Sequence, residues 1–304
     1  MPYTTFDIAV VIPAYNCAAT IENTLDLVFE QNSLPGEVIV VNDGSIDDTE
    51  NTIKQSKHFD KIRYIYQKNA GPAVARNTAV MSTHKAWIAF LDADDLWVDK
   101  QKLAEQIELV NSNTLVTLVD SYAVIEWRGR NTEKVENYKS GDVLSEFLKS
   151  NVINATSSVL AKTETIKKVG GFNPALRLGE DRLLWAKLAK EGEVYTLPKV
   201  TVRKINEEGN LTSNGMRNYR YRLELVTELL TLDSVNKDDE KSIWLVNLGE
   251  FMDLAYRTNN PEGFLSVYND ARKFTGGKVL KSKYTLLALY AMIFRTFKPF
   301  VRKR

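Results

Sequence analysis

The chain opens on short apolar runs that alternate with amphipathic stretches. Ile8 to Pro13 (IAVVIP) is continuously apolar, as a strand covered on both faces requires. Behind it Ile21, Leu25, Val28 and Phe29 recur at helical spacing on one face. EVIVVND predicts a second strand, with Asp47 and Asp48 suited to the start of a helix. IRYIY reads as a third strand, GPAVARNTAVMS as a glycine-proline turn opening a helix, and AWIAFLD as a fourth strand. Strands separated by single helices and short connections predict a parallel α/β sheet with right-handed crossovers. In open sheets of that kind, ligands bind beyond the carboxyl ends of the strands.

Further on, Leu115 to Trp127 is β-rich and turns at Gly129 to Asn131, which predicts a mixed sheet. ATSSVLAK is another strand candidate, and TETIKKVGGF a short helix closed by Gly170 and Gly171. DRLLWAKLAKEG is an amphipathic helix stopped at Gly192, and VYTLPKVTVRK returns as a strand. Beyond about Gly215 the pattern is wholly helical, broken by a charged stretch from Lys237 to Lys241. The expected organisation is an α/β region over residues 1–215 and a helical region over residues 216–304.

Composition narrows the function classes. With 304 residues the chain can bury one large core plus an appendage. At 26% charged residues and net charge +1, it lacks the field that would mark a nucleic-acid partner. The single cysteine, Cys17, excludes an internal disulfide framework and fits a reducing compartment. The start MPYTTFDIAVVIPAYN has no basic n-region, so no signal peptide is expected. No run approaches the ~20 apolar residues of a spanning helix. These features predict a cytoplasmic protein.

One end differs. Asp270 is the last acidic residue, and Lys273, Lys278, Lys281, Lys283, Arg295, Lys298, Arg302, Lys303 and Arg304 follow it. Between them lies the apolar run Leu286 to Phe294. Such a helix can lie in a membrane interface drawn to anionic lipid, or be a core helix with a solvated basic end. The first reading places residues 278–304 against the inner face of the cell membrane.

Polar clusters stand at the predicted strand ends. In AFLDADD, Asp92 and Asp94 can point the same way where the strand ends, and charges so close repel unless a cation or a basic group neutralises them. Mg²⁺ and Mn²⁺ take such oxygen ligands and usually hold a diphosphate as well. The plainer alternative is that these acids cap the next helix, Asp95 above all. In VVNDGSIDDT, Asp43 can accept hydrogen bonds from a base or ribose while Gly44 permits close backbone approach. Asp-Gly-Ser is equally good chemistry for a simple turn. Glu180 and Asp181 precede a helix and either cap it or include a general base.

Taken together, VVIPAYN, VVNDGS-x-DDT, GPAVARN, AFLDADD and the later GGF, GED and W resemble the family-2 inverting glycosyltransferases of the GT-A fold. The likeness covers about residues 7 to 195, with its motifs in the expected order. It implies a Rossmann-like mixed sheet flanked by helices, with a C-terminal helical extension. It also implies a nucleotide-sugar donor, UDP-linked by expectation, held by Pro13, Ala14, Tyr15, Asn16, Asp43, Arg76 and Asp92. Asp94 would be the principal ligand of Mn²⁺ or Mg²⁺, Asp181 the catalytic base and Glu180 a substrate-positioning acid. The implied acceptor is a glycan or polyprenyl-linked hydroxyl in surface polysaccharide synthesis.

The chain departs from the pattern in one respect. Some relatives supply a metal-binding histidine after the GED helix, whereas this chain has only His58 and His84, both earlier and both expected to be surface or structural residues. Arg203, Lys204, Asn206 and Asn210 are the candidates to meet a diphosphate instead. Two rival readings are a binding subunit without turnover and a sugar nucleotidylyltransferase. The two retained acid pairs speak against the first, and PAYNCAA, in place of a glycine-rich arginine-bearing loop, against the second.

Overall fold

The computed structural model describes residues 1–127, 132–206, 215–232, 235–277 and 282–297. The chain divides into two compact units. The first comprises Met1–Leu144, Val152–Ala175 and Glu180–Glu208; the second comprises Ser145–Asn151, Leu176–Gly179 and Gly209–Arg304.

In the first unit, β1 (Ile8–Ala14), β2 (Glu37–Asn42), β3 (Arg63–Tyr66) and β4 (Trp87–Phe90) form a run of four parallel strands in one sheet. Helices α1 (Ile21–Phe29), α2 (Thr49–Gln55) and α3 (Pro72–Ser82) connect them. The continuous apolar run of β1 is explained by its place, since it pairs with β2 on one side and β4 on the other. Ile8 to Ile12 are fully buried, as an interior strand covered on both faces should be.

The rest of the sheet is built from β5 (Leu96–Trp97), β6 (Val116–Trp127), β7 (Glu133–Val135), β8 (Ser140–Gly141), β9 (Leu160–Lys162) and β10 (Glu193–Asn206). The strand order is β3-β2-β1-β4-β9-β6-β10-β5, with β7 on β6 and β8 on β10. β9 runs antiparallel to both β4 and β6, and this makes the sheet mixed. Around these strands lie α4 (Lys102–Ser112), α6 (Thr163–Lys168) and α7 (Glu180–Glu191), while α5 (Leu144–Lys149) falls almost wholly in the second unit.

Local expectations fared differently. ATSSVLAK is strand only from Leu160; Thr156–Ser158 is a 3₁₀ turn. The reason is side-chain competition: Ser158 Oγ donates to the Ala155 carbonyl at 2.6 Å, and Ser157 Oγ bonds Asp95. Asp95 caps no helix, since α4 begins after Gln101. The turn at Gly129 to Asn131 lies outside the described residues, of which 132 is the next.

The second unit is helical: α8 (Tyr219–Leu230), α9 (Lys237–Arg257), α10 (Pro261–Thr275) and α11 (Ser282–Phe294). The charged stretch from Lys237 to Lys241 is not a break but the first turn of α9. Asn236 accepts from the backbone of Asp238 and Asp239, and three acids in that turn suit the positive end of the helix. Aromatic pairs hold the unit together. Trp244 stacks on Phe274 with centroids 4.1 Å apart, and Phe264 meets Phe297 edge-on at 5.3 Å. Among the described residues no helix is long and apolar enough to cross a membrane.

Candidate functional site

Three loops gather at the carboxyl ends of the parallel strands. After β1 the chain turns through Asn16, whose φ of 48° is left-handed, a region asparagine tolerates. Its backbone N–H donates to Ser45 Oγ at 3.0 Å, and its Oδ1 accepts from the Ile46 N–H at 2.9 Å. The loops after β1 and β2 are thereby laced together. Gly44 has a φ of 71°, and a Cβ there would stand 2.6 Å from the Asn69 backbone nitrogen. The close approach that Gly44 permits is thus met, in this structure, by the loop after β3.

Asp43 serves that same loop. Its Oδ1 accepts from Gln67 Nε2 at 2.7 Å and the Ala70 N–H at 2.9 Å, and its Oδ2 from the Gly71 N–H at 2.8 Å. A buried carboxylate with three such bonds fixes the entry to α3 and the side chains that α3 carries.

One of those is Arg76, the hub of the site. The guanidinium bonds Asp92 at 2.6 Å, lies 3.7 Å from Glu180, and packs 5.4 Å from the Phe172 ring centroid. It therefore joins the acids after β4 to those opening α7. Phe172 is held in turn by Asn77, the next residue of α3, which accepts from its N–H at 2.9 Å and donates to its carbonyl at 2.8 Å. Phe90, Phe172 and Trp185 meet edge-on, with centroids 5.4 to 5.8 Å apart. This aromatic triangle braces β4 against α7. Trp185 lies one turn beyond Asp181 on α7, so the packing sets where that acid stands.

The three aspartates after β4 meet different surroundings. β4 ends at Phe90, and residues 93–94 form a turn closed by the Asp95 N–H on the Asp92 carbonyl. Asp92 and Asp94 both line the cleft, Asp94 exposed and Asp92 largely covered. Burial would raise the Asp92 pKa, but the charges of Arg76 and Lys204 outweigh it and hold the carboxyl below its ordinary value. Asp95 points away and takes a 2.5 Å bond from Ser157 Oγ. Burial first, and then the Asp92 charge, push its pKa up to about 7.

Glu180 is likewise pushed up to about 7, by burial and then by Asp181 beside it, against the pull of Arg76. Asp181 is half-buried, and its Oδ1 accepts from the Arg182 N–H at 2.7 Å. Lys204 is the cation common to both acid groups. β10 runs antiparallel to β5 with Arg203 opposite Leu96, which carries Lys204 along toward Asp95. Burial would lower its pKa, yet Asp95, Asp92, Asp181 and Asp94 together hold the ammonium above its ordinary value.

A cleft of about 630 Å³ opens here, lined among others by Pro13, Ala14, Tyr15, Asn16, Asp43, Arg76, Asp92 and Asp94. All eight residues expected around the nucleotide and metal thus border one space. Glu180 and Asp181 are not in its lining and connect to it through Arg76. Thr20, Asn69, Gly71 and Ala75 line it too and were not singled out from the sequence. Neither were Asn77 and Ser157, whose roles depend on partners 95 and 62 residues away. His58 is buried against Phe29 and bonded to Asp26, and His84 is exposed. Arg203 is exposed, the Asn206 side chain is not described, and Asn210 lies outside the described residues.

Among the described residues no three Asp, Glu, His or Cys side chains converge on a metal-sized space. Asp94 faces the cleft from an exposed turn, with Asp92 tied to Arg76. One or two carboxylates fit a divalent ion that also takes phosphate oxygens from a ligand, the usual way Mg²⁺ is held.

Comparison with known proteins agrees with this layout. The family described as Glycosyl transferase family 2 matches residues 9–172. An uncharacterized glycosyltransferase of Rickettsia felis is 30% identical over 220 residues, which is 72% of this chain and 36% of that protein. A Bacillus subtilis protein carrying the name teichuronic acid biosynthesis glycosyltransferase TuaG is 29% identical, covering 61% of this chain and 73% of its own. The chain spans about a third of the length of the first curated relatives it matches. Among solved structures, Staphylococcus aureus TarS 1–349 in complex with UDP-GlcNAc superposes with a TM-score of 0.64 at 18% identity, over 94% of this chain and 84% of that one. The mannosyltransferase PcManGT of Pyrobaculum calidifontis, in complex with GDP-Man and Mn²⁺, gives 0.60 at 20% identity, over 97% and 82%. The mixed sheet with its flanking helices is the GT-A fold.

Proposed function

Because this chain belongs to glycosyl transferase family 2, we propose that it is an inverting, metal-assisted transferase taking its sugar from a nucleotide-diphosphate donor, UDP-linked by preference. The observation that carries the reading is Arg76, which ties the acids of the cleft to those of α7 at 2.6 and 3.7 Å. A donor lying along the cleft would rest its nucleoside on Pro13 to Asn16 and its diphosphate by Asp94. The laced loops hold the floor of that cleft rigid before any ligand arrives, which lowers the ordering cost of binding.

Asp94, with Asp92 behind it, would hold Mn²⁺ or Mg²⁺ together with the diphosphate. When bound, such an ion neutralises charge that builds on the departing phosphate. Lys204 is the residue we assign to the same task from the protein side, because it already answers the charges of Asp95, Asp92, Asp181 and Asp94. Asp181 takes the acceptor hydroxyl proton as that oxygen attacks the anomeric carbon from the face opposite the nucleotide. Glu180 positions the acceptor. A second reading gives Glu180 the proton, since a carboxyl with a pKa of about 7 suits a base working near neutrality.

The acceptor we propose is a glycan or polyprenyl-linked hydroxyl of a surface polysaccharide, in keeping with what the TuaG name says of its bearer. The catalytic work falls to residues 1–215. Thermal melts with a panel of nucleotide sugars, with and without Mn²⁺, test the donor assignment. A ligand that binds only the native state raises the melting point with its concentration. One UDP-sugar should do so in a Mn²⁺-dependent manner, and Asp94→Ala should abolish that shift and the transfer while its own melting point stays put. A donor-induced shift undiminished in Asp94→Ala would defeat the assignment.

A further inference from the structure

Helix α11 (SKYTLLALYAMIF) is apolar from Leu286 to Phe294, a make-up that elsewhere goes with burial. It is not buried. Leu286, Leu289, Met292 and Ile293 are 66%, 51%, 51% and 70% exposed. At the helical turn angle these four fall within an arc of about 120°. The opposite side carries Tyr284, Ala288 and Ala291, all buried. The helix is therefore docked through Tyr284 and two alanines and turns four large aliphatic side chains outward, leaving more apolar surface in water than packing alone would favour. Beside the stripe, Tyr256, Lys283, Leu286, Leu287 and Tyr290 line an apolar groove of about 480 Å³.

Charge says what this face meets. No acid follows Asp270 in the sequence, whereas Lys273 stands in the last turn of α10, Lys283 in the first turn of α11 and Arg295 directly after it. Lys278, Lys281, Lys298, Arg302, Lys303 and Arg304 add six more cations in the sequence beside it, outside the described residues. Lys283 is paired with Asp253 at 2.9 Å, so the surplus is carried by the others. A second copy of this chain on the same face would bring together two stretches of sequence that are basic and free of acids. An anionic lipid surface turns the same charges into attraction and takes the four large apolar side chains into its acyl boundary.

We propose that the Leu286, Leu289, Met292 and Ile293 face of α11 is a membrane anchor that lies flat in the surface of a bilayer containing anionic lipid. It engages no residue of the cleft, so it stands or falls apart from the donor reading. Flotation of the full chain with vesicles of phosphatidylcholine, alone or mixed with phosphatidylglycerol, tests it. Wild type should float with the mixed vesicles, less so in high salt, and stay behind with the neutral ones. Leu286→Glu combined with Ile293→Glu should cut the floating fraction about tenfold or more. Both sites are mostly exposed, so the melting point and nucleotide binding should be retained. Wild type that ignores anionic vesicles, or a double variant that floats as well, overturns the proposal. So does light scattering that finds a wild-type dimer, broken by the double variant, with no flotation in either.

Discussion

Asp92 and Asp120 are both covered aspartates paired to a base, 2.6 Å from Arg76 in one case and 3.1 Å from Lys139 in the other. Their surroundings differ. Asp120 is sealed within the sheet, its oxygens taking Thr196 Oγ1 at 2.7 Å, Asn154 Nδ2 at 3.0 Å and the Lys139 ammonium. Lys139 in turn donates to the Asn137 and Val152 carbonyls, both at 2.6 Å. Nothing in that cluster is left over for a ligand. Around Asp92, by contrast, the side chain borders the cleft and Arg76 Nε is buried without a partner. Like chemistry therefore serves two ends, and the difference lies in whether the bonding capacity is exhausted.

The comparison breaks first at turnover. Asp181→Asn should cost transfer about a hundredfold to ten-thousandfold, the usual worth of a positioned base, with the melting point unchanged. Glu180→Gln should cost less in turnover and more in acceptor KM. If the two losses are reversed, steady-state kinetics assign the base to Glu180. The sealed cluster should respond in the opposite currency. Asp120→Ala leaves Lys139 charged and unpaired, and denaturant unfolding should show a loss of about 3–5 kcal/mol. A loss under about 1 kcal/mol would mean that the pair is not sealed as described.

The smallest effect sharpens the contrast through pH. Lys102 is fully buried on α4, bonded to Gln106 at 2.7 Å, and burial pushes its pKa down to about 7 against the pull of Asp120 and Asp99. The unfolded chain holds that proton to about pH 10.4. Between those values the unfolded state binds more protons, so this group adds stability as pH rises from 7, and that contribution is lost as pH falls through 7. The gap between wild type and Lys102→Met should therefore shift in favour of wild type from pH 7 to 9.5. A gap that stays constant over that range removes Lys102 as a titrating group.

Much of the architecture was legible because burial leaves a plain mark on sequence. IAVVIP reads as a strand covered on both faces, and Ile21, Leu25 and Val28 as the inner face of a helix, and both are found so. The strand-end clusters were legible for the same reason, being polar residues abruptly closing apolar runs. What periodicity does not carry is who bonds whom. Asp43 reads equally as a nucleotide contact or a turn residue until the loop at residues 67–71 is seen to donate three bonds to it. The acidic opening of α9 reads as a break until the Asn236 cap is in place.

From the order of its motifs alone, this chain was already placed among the family-2 transferases, with its acids at the ends of a mixed sheet. Those are properties of neighbours in sequence, where spacing and burial act within a few residues. Only the tertiary structure decided that Asp92 goes to Arg76, Asp95 to Ser157 and Asp94 to the open cleft, and that Lys204 faces them all. It alone decided which side of α11 is left outside. The physical reason is distance. Charge and hydrogen bonding act over a few ångströms in space, and the partners that tune each acid lie far along the chain from it.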